Sequence, residues 1–247
     1  MASDAQVLHV TPGARAVRTA APFVGVPALF AGVVVGIAEG PVFGIVAFVV
    51  VGVALAFWCR VAGDRRVLAH LGGRDADPTL DARLCNLVEG LSISAGLRQP
   101  RMRVVDSPGL NAMAAGSKPS RGVLGVTTAL LSELSRVELE GVLAEELAQI
   151  RRNETLPGTI LVATFGVGRS AALPADRDAR ADQAAVALTR YPPGLAAALE
   201  KIEAKGAAMD DQPSYMAHLW LADPRRGGTT ERGRLPLSER IEALREL

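Results

Sequence analysis

Cysteine is scarce in this chain. Cys59 and Cys85 are the only two in 247 residues, too few for a disulfide framework and suited to a reducing compartment. Net charge is nearly absent, at +1, which removes the basic excess that nucleic-acid binding requires and leaves no nucleic-acid partner to expect. Histidine is limited to His9, His70 and His218, spread too widely for a local metal motif. Lysine is far rarer than arginine, while alanine, valine and glycine abound, a usage associated with GC-rich bacterial genomes. Two stretches, residues 19–38 and 41–59, lack charge altogether.

Each uncharged stretch has about the twenty residues that a helix needs to cross a bilayer core of roughly 30 Å. Glu39-Gly40 between them reads as a tight turn, so residues 19–59 are expected to form a transmembrane hairpin after a polar tail, residues 1–18. No small-residue cleavage site follows the first stretch, which argues against a removed signal peptide. Arg15 and Arg18 precede the hairpin, Arg60, Arg65 and Arg66 follow it, and its turn carries no cation. The positive-inside rule then puts both ends, and the bulk of the chain, in the cytoplasm. This predicts a multi-pass protein of a bacterial cell membrane. Gly32-x-x-x-Gly36 either lets the two helices approach closely or marks a homodimer face.

Residues 60–77 read as a connector and residues 78–247 as one cytoplasmic domain. Leu84, Leu87, Val88, Leu91 and Ile93 give a helix ending at Gly96. Arg-Met-Arg-Val-Val after Pro100 alternates as a strand does. Residues 111–116 and 122–127 read as a hairpin across the turn residues 117–120. Helices are expected over 129–134, 135–152, 179–189, 193–205 and 237–247, with Ser135 as N-cap and Glu138 as its capping-box partner. Residues 155–168 are uncharged but too short for a span and carry a Pro157-Gly158 break, suggesting a buried or interfacial segment. Residues 209–223 read as a linker with an aromatic patch, Tyr215 and Trp220. The basic segment 225–234 reads as a loop, either solvated or turned toward anionic lipid through Arg225, Arg226, Arg232 and Arg234.

The stretch around which the domain is organised is Glu138-Leu-Glu-Gly-Val-Leu-Ala-Glu-Glu-Leu-Ala-Gln149. Leu139, Leu143, Leu147 and Ile150 form one apolar face, which predicts an amphipathic helix. With histidine at 145 and 149 it would be the His-Glu-x-x-His helix of a zinc peptidase, where side chains at i and i+4 hold the metal and the glutamate acts as general base. The base position, Glu146, is filled. The two ligand positions hold Glu145 and Gln149 instead.

Further segments match one family in order. Asn111-Ala-Met-Ala-Ala-Gly116 and Val126-Thr-Thr-Ala-Leu-Leu131 precede that helix. Arg177-Asp-Ala-Arg-Ala-Asp182 and a reduced closing pattern, Gly233-Arg-Leu-Pro-Leu-Ser-Glu-Arg-Ile241, follow it. Over residues 80–247 the chain resembles the HtpX-type membrane zinc metallopeptidases, relatives of the CAAX prenyl endopeptidases. The resemblance implies an α+β, mainly helical fold: a zincin-like domain with a small β-sheet behind a two-helix membrane hairpin. It further implies that Glu146 stands in the general-base position. Glu145, Gln149 and Asp178 stand in the zinc-ligand positions, and Asn111, Ala112, Met113, Ala114 and Gly116 in the strand that pairs with an extended substrate.

In such a site zinc lowers the pKa of a bound water and the glutamate takes its proton. Two carboxylates and an amide are a hard oxygen set poorly matched to zinc, and Asp178 is one methylene shorter than the family's glutamate. Two functions follow from the resemblance. One is a membrane-anchored pseudoprotease without zinc, which binds or regulates membrane-protein or unfolded-protein clients, or an active paralogue. The other is an active metalloendopeptidase with a non-standard metal site and Glu146 as base. In the metal-free case Gln149 is expected to donate to Glu145 or Asp178; in the metal-bound case His218 is the replacement ligand.

Overall fold

The computed structural model describes residues 12–166, 173–174, 176–210, 212–225 and 234–247, and only the backbone of residues 12–19. The uncharged stretches form helices α1 (Pro12–Glu39) and α2 (Pro41–Leu71). Gly40 joins them at φ 105°, a value open to glycine because it lacks Cβ, and Pro41 opens α2 where a missing N–H costs nothing. Both helices are long and apolar enough to cross a membrane, and only 11% of each apolar window is buried in the protein. A Cβ at Gly44 would lie 2.6 Å from the Gly32 carbonyl oxygen. The small residues of Gly32-x-x-x-Gly36 therefore serve the contact between α1 and α2 within the chain.

α2 does not stop where its uncharged stretch does. It continues through Leu71, so much of the expected connector is helix, because Gly63, Val67 and Leu71 recur every four residues and bury one stripe. That extension lies on a four-stranded sheet of order β1-β2-β4-β3 (Arg74–Asp75, Arg101–Val105, Val123–Thr127, Ala112–Ala115). β2 and β4 run parallel, while β3 returns antiparallel to β4 with Met113 opposite Gly125.

Strand alternation divides the core. Val104, Ala112, Ala114, Leu124 and Val126 face the main cluster beneath α3 (Ala82–Ala95) and α5 (Arg136–Arg151). Val105, Met113, Ala115 and Val123 face Val67 and Leu71 of α2 together with Met216 and Trp220. The sheet is thus covered on both faces. α3 ends at Gly96 in the left-handed region, φ 61°, as its C-terminal glycine predicts. α4 (Thr128–Glu133) is capped by the Thr127 hydroxyl.

Two sequence expectations need correction. Residues 155–168 do not break at Pro157-Gly158; α6 (Thr155–Ala163) is an unbroken helix with all nine residues buried. Pro157 lies in its first turn, where the missing N–H has no intrahelical acceptor. α6 packs on the membrane hairpin at its base, where Leu156 and Ile160 meet Ala20 and Cys59. Residues 209–223 are not a free linker: a 3₁₀ turn, Ser214–Leu219, leads into Trp220, which is fully buried on the sheet. The remaining helices, α7 (Arg177–Thr189), α8 (Pro192–Lys205) and α9 (Leu237–Arg245), surround α5. The first eleven residues and most of the basic segment 225–234 lie outside the described residues.

Candidate functional site

α5 begins as expected. Ser135 accepts from the Glu138 amide and the Glu138 carboxylate accepts from the Ser135 amide at 2.7 Å, a complete capping box. The helix is not amphipathic, however. From Leu139 to Ile150 only Glu140 and Gln149 escape full burial, because the sheet, α3, α7 and α8 cover it on all sides. Gly141 admits α8; a Cβ there would meet the Leu195 amide nitrogen at 2.8 Å. Glu145 and Glu146 are each 1% exposed.

Burying two adjacent carboxyl groups is costly unless charge is supplied. Arg240 supplies it from α9. Its Nη2 donates to Glu145 Oε1 at 2.9 Å, and its fork grips Asp182 of α7 through Nε at 2.9 Å and Nη2 at 2.5 Å. Asp178, one turn before Asp182, accepts from Arg177 Nε at 3.2 Å and from the Leu235 amide at 3.2 Å. Arg234 Nε lies 3.6 Å from the same Asp178 carboxylate.

Four carboxyl groups thus share three guanidiniums. Burial raises the Asp178 pKa, but Arg234, Arg177 and Arg240 outweigh it and hold the group below its usual range. Burial tends to discharge Arg240, yet Glu145 and Asp182 hold its pKa above the usual value. Among the described residues Glu146 has no hydrogen-bond partner on either oxygen; burial pushes its pKa up to about 8 against the pull of the same three arginines. Burial likewise pushes Glu145 well up, since its one cation, Arg240, is shared with Asp182. Four acids against three bases leave the cluster short of positive charge, and Glu145 and Glu146 are the two groups that hold protons more tightly because of it.

The positions singled out in the sequence are therefore only partly brought together. Glu145, Glu146 and Asp178 lie in one buried charge cluster. Gln149, half-buried, opens instead into an adjacent pocket with Thr155, Gly158, Arg177, Arg180 and His218. That pocket holds about 30 Å³, room for a water or two and too little for a peptide side chain. Gln149 donates to neither Glu145 nor Asp178 among the described residues. His218 is buried with Nε2 2.9 Å from the Gly158 carbonyl oxygen. Among the described residues no three His, Cys, Asp or Glu side chains gather to hold a metal.

The strand Asn111–Gly116 is the sheet edge, as expected, but its outer side is occupied by the chain itself. The Leu221 amide donates to the Ala112 carbonyl at 2.7 Å, and Met113 bridges Trp220. Asn111 ties down the carbonyls of Ala207 and Ala222. Gly116 donates to Thr159 Oγ1 at 2.8 Å and accepts from Thr155 Oγ1 at 2.9 Å. An extended chain could pair with Ala112, Met113, Ala114 or Gly116 only by displacing residues 219–221 and the α6 hydroxyls.

Three residues that organise the cluster escaped the sequence reading. Arg234 was assigned to a lipid-facing or solvated loop; its side chain is 9% exposed and turned inward, where Nη2 also donates to the Trp220 and Leu221 carbonyls. Asp182 and Arg240 stood in the quoted motifs without a role. The available signal was spacing: Asp178 and Asp182 are one turn apart on a helix and so share a face, against which cations have to be gathered.

Comparison with known proteins matches the geometry. The family model described as Peptidase family M48 matches residues 78–204, which hold α5 and α7. A protease HtpX homologue of Dictyoglomus thermophilum is 30% identical over 82% of this chain and 82% of its own length. A protease HtpX homologue of Tropheryma whipplei is 31% identical over 71% and 76%. A third, from Acidiphilium cryptum, is 36% identical over 61% and 52%. No solved structure matches the chain. With two apolar helices ahead of a matched peptidase domain, the chain belongs to peptidase family M48, in its HtpX-type membrane metallopeptidase branch.

Proposed function

We propose that this chain is a pseudoprotease: an HtpX-like membrane protein in which all three zinc-ligand positions, Glu145, Gln149 and Asp178, are substituted. The observation that carries the reading is the guanidinium of Arg240 on Glu145, the first ligand position. The donor set does not suit zinc. Glu145 Oε1 is engaged by Arg240, and Asp178 by Arg177 and the Leu235 amide. A divalent ion would also have to enter beside the three guanidiniums that already neutralise the cluster. Glu146 is 1% exposed and does not line the adjacent pocket, so neither water nor substrate reaches its carboxyl group, and it is vestigial as a catalyst.

Anchored by its hairpin in a bacterial cell membrane, with both ends cytoplasmic, the domain acts as a binding or regulatory module. Its partners are unfolded or membrane-protein clients, an active relative, or a second copy. The test is cleavage of an unfolded protein and of a membrane protein by the purified full chain and by Glu146→Gln. We expect no cleavage above background from either. Metal-dependent cleavage by the wild type that Glu146→Gln abolishes would establish the active metalloendopeptidase instead.

A further inference from the structure

Away from the buried cluster, a cleft of about 500 Å³ opens between the extension of α2 and the start of β2 and β4. Four arginines line it: Arg65 from α2, Arg98 and Arg101 from the approach to β2, and Arg121 before β4. Ser120 adds a hydroxyl, and Asp64 is the one carboxylate in the wall. The Asp64 charge is already engaged, by the Ser117 amide at 2.8 Å, the Ser117 hydroxyl at 2.6 Å and Arg121 at 3.5 Å. Arg101 pairs with Asp75 at 3.1 Å. Arg65 and Arg98, both exposed, make no ion pair among the described residues. The cleft thus carries a net positive wall with two uncommitted guanidiniums, the donor group that binds phosphate most readily because each offers a planar two-pronged fork.

Its depth says where such a phosphate comes from. The uncharged part of α2 ends at Cys59, with Trp58 53% exposed and the Arg66 guanidinium 6.0 Å from its ring, the aromatic and cationic pair typical of a membrane interface. Arg65 lies five residues past Arg60, about 7.5 Å further along the helix axis. The headgroup layer is roughly 5–8 Å thick on each side of the hydrocarbon core, so Arg65, on the α2 wall of the cleft, lies at the outer edge of the headgroups.

We propose that this cleft binds the phosphate of an anionic phospholipid headgroup, with Arg65 and Arg98 as its principal contacts and Ser120 and Arg121 completing the cradle. The site is independent of whether the buried cluster binds metal. It seats the domain against the bilayer at a fixed tilt, through a lipid rather than through protein contacts.

The experiment uses the detergent-solubilised full chain and follows its thermal unfolding as phosphatidylglycerol, phosphatidylcholine or inorganic phosphate is added. The expected result is salt-sensitive stabilisation by phosphatidylglycerol, at least about tenfold tighter than by phosphatidylcholine or free phosphate. This preference falls about tenfold or more in R65Q/R98Q, as losing two interfacial cations predicts, and persists in R136Q/R245Q, whose arginines are exposed elsewhere. Equal response to both lipids, an unaltered preference in R65Q/R98Q, or equal losses in the two double variants would each overturn the proposal. Inorganic phosphate acting as well as phosphatidylglycerol would overturn the lipid source.

Discussion

Glu146 is the residue on which the charge arithmetic of the domain turns. Its carboxyl group is raised from 4.5 to about 8 in the folded protein, so the folded state keeps a proton that the unfolded chain releases. Between those pH values the folded form binds more protons, and stability must fall as pH rises. The group's contribution is full below about 4.5, declines by about 1.4 kcal/mol per pH unit, and is gone above about 8. Glu146→Gln keeps the shape and cannot titrate, so its unfolding curve should lose the Glu146 share of that slope, while the part due to the raised Glu145 persists. Equal slopes for wild type and variant, in thermal melts from pH 5 to pH 9, would show that the proton sits elsewhere. Arg240 gives the complementary case. Arg240→Met leaves Glu145 and Asp182 buried without their cation, and removing one partner of a buried pair costs about 3–5 kcal/mol. A melting temperature within error of the wild type would show that the pair is not what holds α5, α7 and α9 together.

At the scale of elements, the tightest point of the join between membrane hairpin and domain is one close approach of backbones. A Cβ at Gly63 would stand 2.4 Å from the Thr159 carbonyl oxygen, so α2 and α6 touch backbone to backbone there. Gly63→Leu should force them apart, destabilise the protein by about 1–3 kcal/mol, and open the junction to limited proteolysis. An unchanged digestion pattern would contradict the packing. Thr159 matters twice, because its hydroxyl also receives the Gly116 amide; the same helix that meets the hairpin closes the sheet edge.

Elements with strong local chemistry were legible in the sequence. The hairpin, the Gly96 stop, the Ser135 capping box and the β3–β4 pairing all follow from caps, glycines and alternation. What was not legible depends on burial. Leu139, Leu143 and Leu147 mark one face of α5, but nothing local reveals that Glu145 and Glu146 are covered as well. Their cover comes from Arg240, 95 residues from Glu145 along the chain. Trp220 and Pro157 misled for related reasons. An aromatic between turn residues gives no periodicity, and a proline in a first turn looks like a break until its acceptor is shown to be missing.

For the whole molecule, an M48 domain sits behind two membrane-length helices, and the machinery at its centre is arranged around guanidiniums. Composition offered little help here, since a net charge of +1 conceals both the arginine cluster in the core and the arginine-lined cleft beside α2. Whether Glu145, Gln149 and Asp178 hold zinc is read out by the metal content of the protein. The full chain purified without chelator should contain far less than one zinc per protein and take up none on titration. The variant Glu145→His/Gln149→His/Asp178→Glu, on a retained scaffold, should instead take up one zinc per chain. One tightly bound zinc per wild-type chain, lost in Glu145→Ala, would contradict the account.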